Sequence, residues 1–247
     1  MEDIACLRWK QCRRRSRAAE RDVEINMTGI EIKTIGDRGD GALYTVDEMY
    51  QWLSGILKEE ELKESLRALP YARDKHEGQF RKPAEEKIPY FIHPLRMACQ
   101  SCALGIREDT VLAAVLLHDV SEDCGIAPEE LPFSVEIRKA VGLLTRSRDE
   151  RIPKAERDRM YYEGIRKNRV ASIVKVLDRC DNVSGMSHVF SMEKIHDYTD
   201  ETETYVLPLL DLIRDSYPEF RDAAYLIKYQ IVSILDTVMD LEQRLRG

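Results

Sequence analysis

A histidine and three carboxylates follow an almost wholly apolar run between residues 110 and 125: His118, Asp119, Glu122 and Asp123. In an α-helix, residues three or four positions apart lie on one face, so these side chains are predicted to lie close together. A helix that is apolar on all sides is buried, and charge that is buried without a partner is costly. The pattern therefore predicts a bound cation at this face, with carboxylates left over to move protons.

Two other stretches carry residue types that would complete a metal site. Residues 89–94 read Pro-Tyr-Phe-Ile-His-Pro, and the second proline suits the first turn of a helix, which places His93 at a helix start. Asp178 lies late in an apolar segment. Each residue alone has a structural explanation, because His93 could be a satisfied core histidine and Asp178 could pair with Lys175 or Arg179. Together with the His-Asp doublet they form a His/His/Asp/Asp set, which favours a metal.

The types of these four ligand residues indicate which metal ion would bind. Two imidazoles and two carboxylates leave open positions on an octahedral ion, and such a mixed set suits manganese at least as well as zinc. His118 and Asp119 are neighbours in the sequence and point about 100° apart on a helix, so both can reach an ion that lies between their directions. We therefore predict one divalent metal ion, with Mn²⁺ preferred.

The rest of the chain reads as helical from Thr45 almost to its end. Thr45-Val-Asp-Glu48 is a capping-box signature, and apolar residues follow it at helical spacing. The helix that carries His118 is predicted to be continuous, to be capped by Asp109 or Thr110 and to end at Gly125. Helices are predicted at 46–58, 60–80, 94–104, 109–124, 134–147, 154–168, 169–182, 191–216 and 219–245.

These elements predict an all-α fold with one helical bundle over residues 45–247. Residues 1–44 are predicted to be an N-terminal extension, namely a basic tail followed by a candidate β-hairpin over residues 30–41. The charged segment 146–151 either helps to bind phosphate or is a solvated loop. At 247 residues and 43% hydrophobic content, the chain is long enough and apolar enough for one sizeable core.

Charge and cysteine content exclude several classes of function. The net charge of -7 argues against a protein that coats nucleic acid or an anionic membrane. No apolar run approaches the length of a membrane span, and the N-terminus lacks a secretory signal. The 6 cysteines have no disulfide-framework spacing, which predicts reduced thiols in a cytoplasmic protein.

Four motifs, in this order, resemble the hydrolase domain of RelA/SpoT-type proteins, a branch of the HD superfamily of metal-dependent phosphohydrolases. By its length the chain also resembles the small alarmone hydrolases. The resemblance covers roughly residues 65 to 215. The motifs are His76-x-x-Gln79-x-Arg81-Lys82, Pro89-Tyr90-x-x-His93-Pro94, Leu116-Leu117-His118-Asp119-x-x-Glu122-Asp123 and Lys175-x-x-Asp178-Arg179-x-x-Asn182.

This resemblance implies a single HD-domain helical bundle and a role for each matching residue. The positions that match the metal ligands are His93, His118, Asp119 and Asp178. The positions that match the pair that orients and activates the attacking water are Glu122 and Asp123. The positions that match the nucleotide and phosphate side of the site are Arg81, Lys82 and Asn182, with Arg159 as a further basic candidate.

The implied reaction is hydrolysis of the 3′-pyrophosphate of ppGpp or pppGpp, which gives GDP or GTP and pyrophosphate. The implied partner is a guanosine nucleotide, and homo-oligomerisation is left open. Two alternatives are an HD phosphohydrolase with another nucleotide substrate (an NADPH 2′-phosphatase or a nucleotidase) and a non-catalytic alarmone-binding sensor. The chain departs from the family at Asp181, where His or Tyr is usual, and we expect this extra negative charge to lie near the anionic substrate. It departs again in the linker at 83–88, which is longer and more acidic than usual.

Overall fold

A computed structural model describes residues 45–81, 88–188 and 190–246 of the chain. The predicted N-terminal extension and its candidate hairpin lie outside these residues. Within them the structure is helical, and the α-helices are α1 (Val46–Glu59), α2 (Lys63–Lys75), α3 (Ile92–Ala103), α4 (Asp109–Leu117), α5 (Val120–Cys124), α6 (Val135–Leu144), α7 (Lys154–Arg166), α8 (Arg169–Gly185), α9 (Met192–Glu201), α10 (Leu207–Ser216) and α11 (Arg221–Arg246).

The all-α prediction is confirmed for the part of the chain that the structure describes. The regular elements there are the α-helices, three short 3₁₀ turns and one π-helical turn at Thr202–Val206. The closest approach to a strand is an isolated antiparallel bridge between Phe80 and Pro89. Among the described helices, none combines the length and the apolar character that crossing a bilayer requires.

Helix α4 is the centre of the core. Every residue from Val111 to Leu117 is 0% exposed, as the apolar run predicts. This helix packs against α2, α3, α6 and α8. The surrounding helices therefore fix the C-terminal end of α4, where the polar residues begin.

Helix α8 is the second buried element, and its burial is unusual because it carries charged residues. It packs against α3, α4, α6, α7, α10 and α11. Its buried residues include four that are charged, namely Lys175, Asp178, Arg179 and Asp181. Since unpaired buried charge is costly, these side chains must find partners within the bundle.

The predicted continuous helix over residues 109–124 is interrupted. Helix α4 ends at Leu117, the next two residues form a turn, and α5 starts at Val120. That turn consists of His118 and Asp119, which both keep right-handed backbone angles. Gly125 ends α5 in the left-handed region at φ 69, as predicted.

Asp109 caps a different helix from the one predicted. The N-cap of α4 is Glu108, which makes no side-chain capping bond. The Asp109 carboxylate instead accepts hydrogen bonds from the backbone N–H groups of Glu64 and Ser65, at 2.9 and 2.7 Å. It therefore caps the first turn of α2 and joins this helix to α4.

Two other predicted helices differ from the structure in their bounds. The helix predicted at 60–80 ends at Lys75, and Gly78 then adopts a left-handed φ of 76. The segment predicted as one helix at 191–216 contains α9, the π-helical turn and α10 in succession. A π-turn adds one residue to a helical turn, a change that apolar periodicity does not reveal.

Candidate functional site

The ends of several helices enclose a cavity of about 600 Å³. Its lining comes from the junction of α4 and α5, the start of α3, the second half of α8, and parts of α7 and α9. The lining residues that the sequence singled out are His93, His118, Asp119, Glu122, Asp123, Asp178, Asn182 and Arg81. Residues that are far apart in the sequence thus meet at one cavity.

The floor of this cavity holds a group of buried metal-ligand side chains, formed by His93, His118 and Asp178. Each offers one ligand atom, and these atoms lie within 4.8 Å of one another. His93 Nε2 lies 3.3 Å from Asp178 Oδ1, and His118 Nε2 lies 3.9 Å from the same oxygen. These residues could bind a divalent metal ion.

The protonation pattern of His118 fits a metal ligand. Its Nδ1 lies 2.8 Å from the carbonyl oxygen of Val115, which only accepts, so Nδ1 carries the proton. Nε2 is therefore the nitrogen left to bind a metal; it is buried and makes no well-aligned hydrogen bond, although Asp119 Oδ2 lies 3.1 Å away. A buried polar atom without a partner is rare, and a cation bound by His118, His93 and Asp178 accounts for it.

Asp119 lies beside this group, at its more exposed edge. Its Oδ2 is 3.1 Å from His118 Nε2 and 3.7 Å from His93 Nε2. The same oxygen accepts a hydrogen bond of 2.6 Å from the hydroxyl of Tyr90. The structure thus brings all four predicted ligands together, three as a compact buried cluster and Asp119 adjacent to them.

The electrostatics of the cluster favour positive charge. Burial alone would raise the pKa of the Asp178 carboxyl, but the Lys175 ammonium 2.7 Å away and the two imidazoles hold that pKa well below its usual range. Burial disfavours a charged His93, yet hydrogen bonds to Asp178 and Asp181 outweigh it and raise the pKa of His93 to about 9. Carboxylates that attract a proton so strongly also attract a metal cation.

Glu122 and Asp123 lie one turn beyond the predicted ligands and line the cavity. Glu122 is partly buried, and its Oε2 accepts a hydrogen bond of 3.1 Å from the backbone N–H of Arg146. Asp123 is exposed at the rim. Both carboxylates are therefore close to the metal-ligand cluster without belonging to it.

The predicted substrate-binding residues fall into three groups. Arg81 and Asn182 line the cavity, and Arg81 Nη2 donates to Asn182 Oδ1 at 3.4 Å. Lys82 lies outside the described residues. Arg159 is not brought to the cavity: its side chain is 61% exposed on α7 and lies near Glu156 and Glu163.

The structure corrects the expected position of Asp181. This side chain lies behind His93, where it accepts hydrogen bonds from His93 Nδ1 and from Arg96, and it is 8% exposed. It does not line the cavity. Its charge is therefore matched by Arg96 within the protein and does not face the cavity.

The charged segment after Thr145, which could either bind phosphate or form a solvated loop, contributes Arg146 to the cavity wall. Its guanidinium pairs with Asp158 at 2.6 Å and with Glu201. Glu201 also accepts hydrogen bonds from buried Arg179, at 2.8 Å, and from the Tyr162 hydroxyl, at 2.6 Å.

Several curated proteins are similar to this chain. A Xenopus tropicalis protein named guanosine-3′,5′-bis(diphosphate) 3′-pyrophosphohydrolase MESH1 is 35% identical over 141 residues, which cover 54% of this chain and 77% of the relative. The chain belongs to this hydrolase family. The human protein of the same name is 34% identical over 131 residues, covering 51% of this chain and 72% of the relative.

The bacterial relatives are much longer than the matched region. An Aquifex aeolicus guanosine-3′,5′-bis(diphosphate) 3′-pyrophosphohydrolase is 35% identical over 156 residues, which are 60% of this chain but 21% of that protein. The chain therefore spans about a fifth of the length of this relative. No protein-family model matches the sequence.

A solved structure has a similar fold. It is described as a metazoan ortholog of SpoT that hydrolyzes ppGpp, and it aligns with a TM-score of 0.54 at 24% identity. The alignment covers 71% of this chain and 95% of that chain. The likeness confirms the HD-type helical bundle.

Proposed function

We propose that this protein is a metal-dependent hydrolase that removes the 3′-pyrophosphate of ppGpp or pppGpp. The products are GDP or GTP and pyrophosphate. The observation that carries the proposal is the buried group His93, His118 and Asp178 on the floor of a cavity, in a chain of the guanosine-3′,5′-bis(diphosphate) 3′-pyrophosphohydrolase family.

We propose Mn²⁺ as the metal, held by His93, His118, Asp178 and Asp119. Two imidazoles and two carboxylates give a mixed nitrogen and oxygen donor set that leaves open positions on an octahedral ion, and such a set suits manganese at least as well as zinc. When bound, such a cation supplies a Lewis acid for a phosphate oxygen and makes a water more acidic. The roles that follow belong to the chain's own residues.

Glu122 is proposed to move the proton of the attacking water, with Asp123 orienting that water. The backbone N–H of Arg146 fixes one Glu122 oxygen at 3.1 Å, which leaves the other oxygen to accept a proton. In the balanced reaction the water oxygen bonds to the phosphorus next to the 3′ oxygen. The bond between that phosphorus and the 3′ oxygen breaks, and a proton ends on the 3′ oxygen.

Cationic side chains in the cavity wall match the charge of the substrate. Arg81 lies beside Asn182, and Arg146 and Lys154 also line the cavity. A guanidinium binds phosphate oxygens in pairs, whereas an ammonium acts as a point charge. We propose that Arg81 and Asn182 hold the nucleotide next to the metal cluster, with Lys82 as a further phosphate contact.

The protein is proposed to act in the cytoplasm, with a guanosine nucleotide as its small-molecule partner. The net charge of -7 disfavours nucleic acid as a second partner. Homo-oligomerisation stays a prediction, which light scattering of the purified protein measures.

The test compares three substrate classes with one metal. Metal-stripped protein is incubated with Mn²⁺ and, separately, with ppGpp, NADPH or a mixture of nucleoside monophosphates, and the products are resolved by ion-exchange chromatography. We expect manganese-dependent GDP and pyrophosphate from ppGpp. Phosphate released only from NADPH or from monophosphates would show that the substrate is a different nucleotide. Tight ppGpp binding without any product would favour a non-catalytic alarmone-binding sensor.

Two variants assign the activity to this site. Asp178→Asn removes a proposed ligand charge with little change of shape, and we expect it to abolish the reaction. Asp211→Asn is the matched control, because Asp211 is only partly buried, pairs with Arg214 and Lys228, and does not line the cavity. A reaction that survives Asp178→Asn would place the chemistry elsewhere.

A further inference from the structure

Asp181 makes a short contact to the back of a proposed metal ligand. Its Oδ2 lies 2.6 Å from His93 Nδ1, and both side chains are buried. A carboxylate only accepts hydrogen bonds, so Nδ1 carries a proton and Nε2 is the nitrogen left to bind a metal. That nitrogen is the one 3.3 Å from Asp178 Oδ1, on the side of the cluster.

Arg96 holds the Asp181 carboxylate in place. It lies three residues after His93 on α3, so both residues reach α8 from the same helix face. Its Nε donates to Asp181 Oδ1 at 2.8 Å and its Nη2 donates to Oδ2 at 3.0 Å. This two-bond geometry fixes the plane of the carboxylate, and the guanidinium compensates its buried charge.

A second arginine lies on the cavity side of the same carboxylate. Arg81 Nη1 is 3.8 Å from Asp181 Oδ2, and Arg81 also contacts Asn182. Asp181 therefore lies between Arg96 and Arg81, with Oδ2 directed at His93 Nδ1 and Oδ1 at Arg96. The polar contacts of the Asp181 side chain are with His93, with Arg96, which holds it in place, and with Arg81 in the cavity wall.

We propose that Asp181, held by Arg96, is a positioning residue that fixes the tautomer and ring orientation of His93 for metal binding. Partners of this kind keep a ligand nitrogen pointed at the metal, and their removal costs about 10- to 100-fold in metal affinity or activity. The inference rests on the metal site of the proposed function.

The test measures Mn²⁺ binding to the metal-stripped protein by calorimetry, without nucleotide. We expect Asp181→Ala to bind manganese roughly 10- to 100-fold more weakly. Asp181→Asn keeps an oxygen that accepts from His93 Nδ1 but replaces the oxygen that accepts from Arg96 Nε by an amide group, so it is expected to recover part of that loss. The far-UV circular dichroism of each variant confirms that it is folded. Asp211→Ala, a partly buried aspartate outside the cavity exchanged in the same way, is expected to bind like the wild type.

Each result bears on the proposal. Wild-type affinity in Asp181→Ala would overturn it, and so would an equal loss in the Ala and Asn variants, because charge and not an accepted hydrogen bond would then matter. If the wild type binds no manganese, the metal site of the proposed function fails as well. If the wild type binds manganese and hydrolyses ppGpp while Asp181→Ala binds equally well, only the present inference fails.

A double-mutant cycle tests the part played by Arg96. Because Arg96 is proposed to act through Asp181, Arg96→Ala should weaken manganese binding in the wild-type background and have no further effect in Asp181→Ala. Additive losses would show that Arg96 acts independently and would overturn the proposed arrangement.

Discussion

The hydroxyl of Tyr90 donates a hydrogen bond of 2.6 Å to Asp119 Oδ2. This bond ties the segment before α3 to the turn between α4 and α5, two parts of the chain that contribute different metal-ligand candidates. Burial and the neighbouring Asp119 charge raise the pKa of the Tyr90 phenol, so Tyr90 stays a donor throughout the physiological pH range. Asp119 is therefore held with one oxygen near His118 and His93.

Replacing Tyr90 by Phe should weaken metal binding without removing a ligand. Tyr90→Phe leaves the ring in place but frees the Asp119 carboxylate, and we expect manganese affinity to fall about tenfold or more. Calorimetry on metal-stripped protein measures this, and Tyr50→Phe is the control because Tyr50 does not line the cavity. Equal affinities for Tyr90→Phe and the wild type would mean that this bond does not position Asp119.

Asp119 and Glu122 should respond differently to truncation, although they lie one turn apart. Asp119→Ala deletes a proposed ligand and should lose both manganese binding and turnover. Glu122→Ala deletes the proposed proton carrier and should keep the metal but lose turnover by roughly 10²- to 10⁴-fold. Metal content by atomic absorption and kcat with ppGpp separate the two, and a fully active Glu122→Ala would contradict the mechanism.

Arg81 and Arg159 were both candidates for substrate binding, and the structure separates them. Arg81 lines the cavity beside Asn182, whereas the Arg159 side chain is 61% exposed on α7. We expect Arg81→Ala to raise the KM for ppGpp at least tenfold with manganese affinity nearly unchanged. Arg159→Ala should change KM much less, and a larger effect at Arg159 than at Arg81 would require the substrate to reach the outer face of α7.

Most of the candidate site can be predicted from the sequence, because local periodicity determines which residues share a helix face. The apolar run before His118 predicts burial of α4, and the structure confirms it with residues that are 0% exposed from Val111 to Leu117. The sequence pattern does not show which residue on another helix pairs with each polar side chain. Asp109 was expected to cap its own helix but caps α2, 45 residues earlier in the chain, because the helices cross there.

Asp181 illustrates the same limit at the site. Its position one residue before Asn182 suggested a charge facing the substrate, yet the side chain points away to Arg96 and His93. Spacing along one helix predicts which face of that helix a side chain occupies. The partners of Asp181 lie on α3, which is distant in the sequence, so this spacing does not predict them. The masking of this charge thus depends on how α3 and α8 pack, which the sequence pattern does not specify.

Glu201 joins the charged residues of the cavity wall to the core. Its Oε1 accepts from Arg179 Nη2 at 2.8 Å and from the Tyr162 hydroxyl at 2.6 Å, and it pairs with Arg146. Arg179 is 1% exposed, so it depends on this carboxylate for compensation of its charge. Burial alone would raise the pKa of Glu201, but the two guanidiniums outweigh it and lower that pKa to about 2.

This lowered pKa predicts how stability depends on pH. The folded-state pKa lies below the ordinary value of 4.5, so the stabilisation is complete above that value and is lost as the pH falls towards 2. At about 1.4 kcal/mol for each unit of difference, it amounts to roughly 3 kcal/mol at neutral pH and roughly 2 kcal/mol at pH ~3.5. Gln mimics the protonated form, so Glu201→Gln should lack this contribution.

Urea unfolding of the metal-stripped protein measures the effect. The free energy of unfolding of the wild type should exceed that of Glu201→Gln by roughly 3 kcal/mol at pH ~7, and the difference should shrink by about a third at pH ~3.5. Glu203→Gln is the matched control, because Glu203 is exposed two residues later, and it should follow the wild type at both pH values. A difference for Glu201→Gln that stays constant with pH would mean that Glu201 stabilises the fold through its shape and hydrogen bonds, and not through its charge.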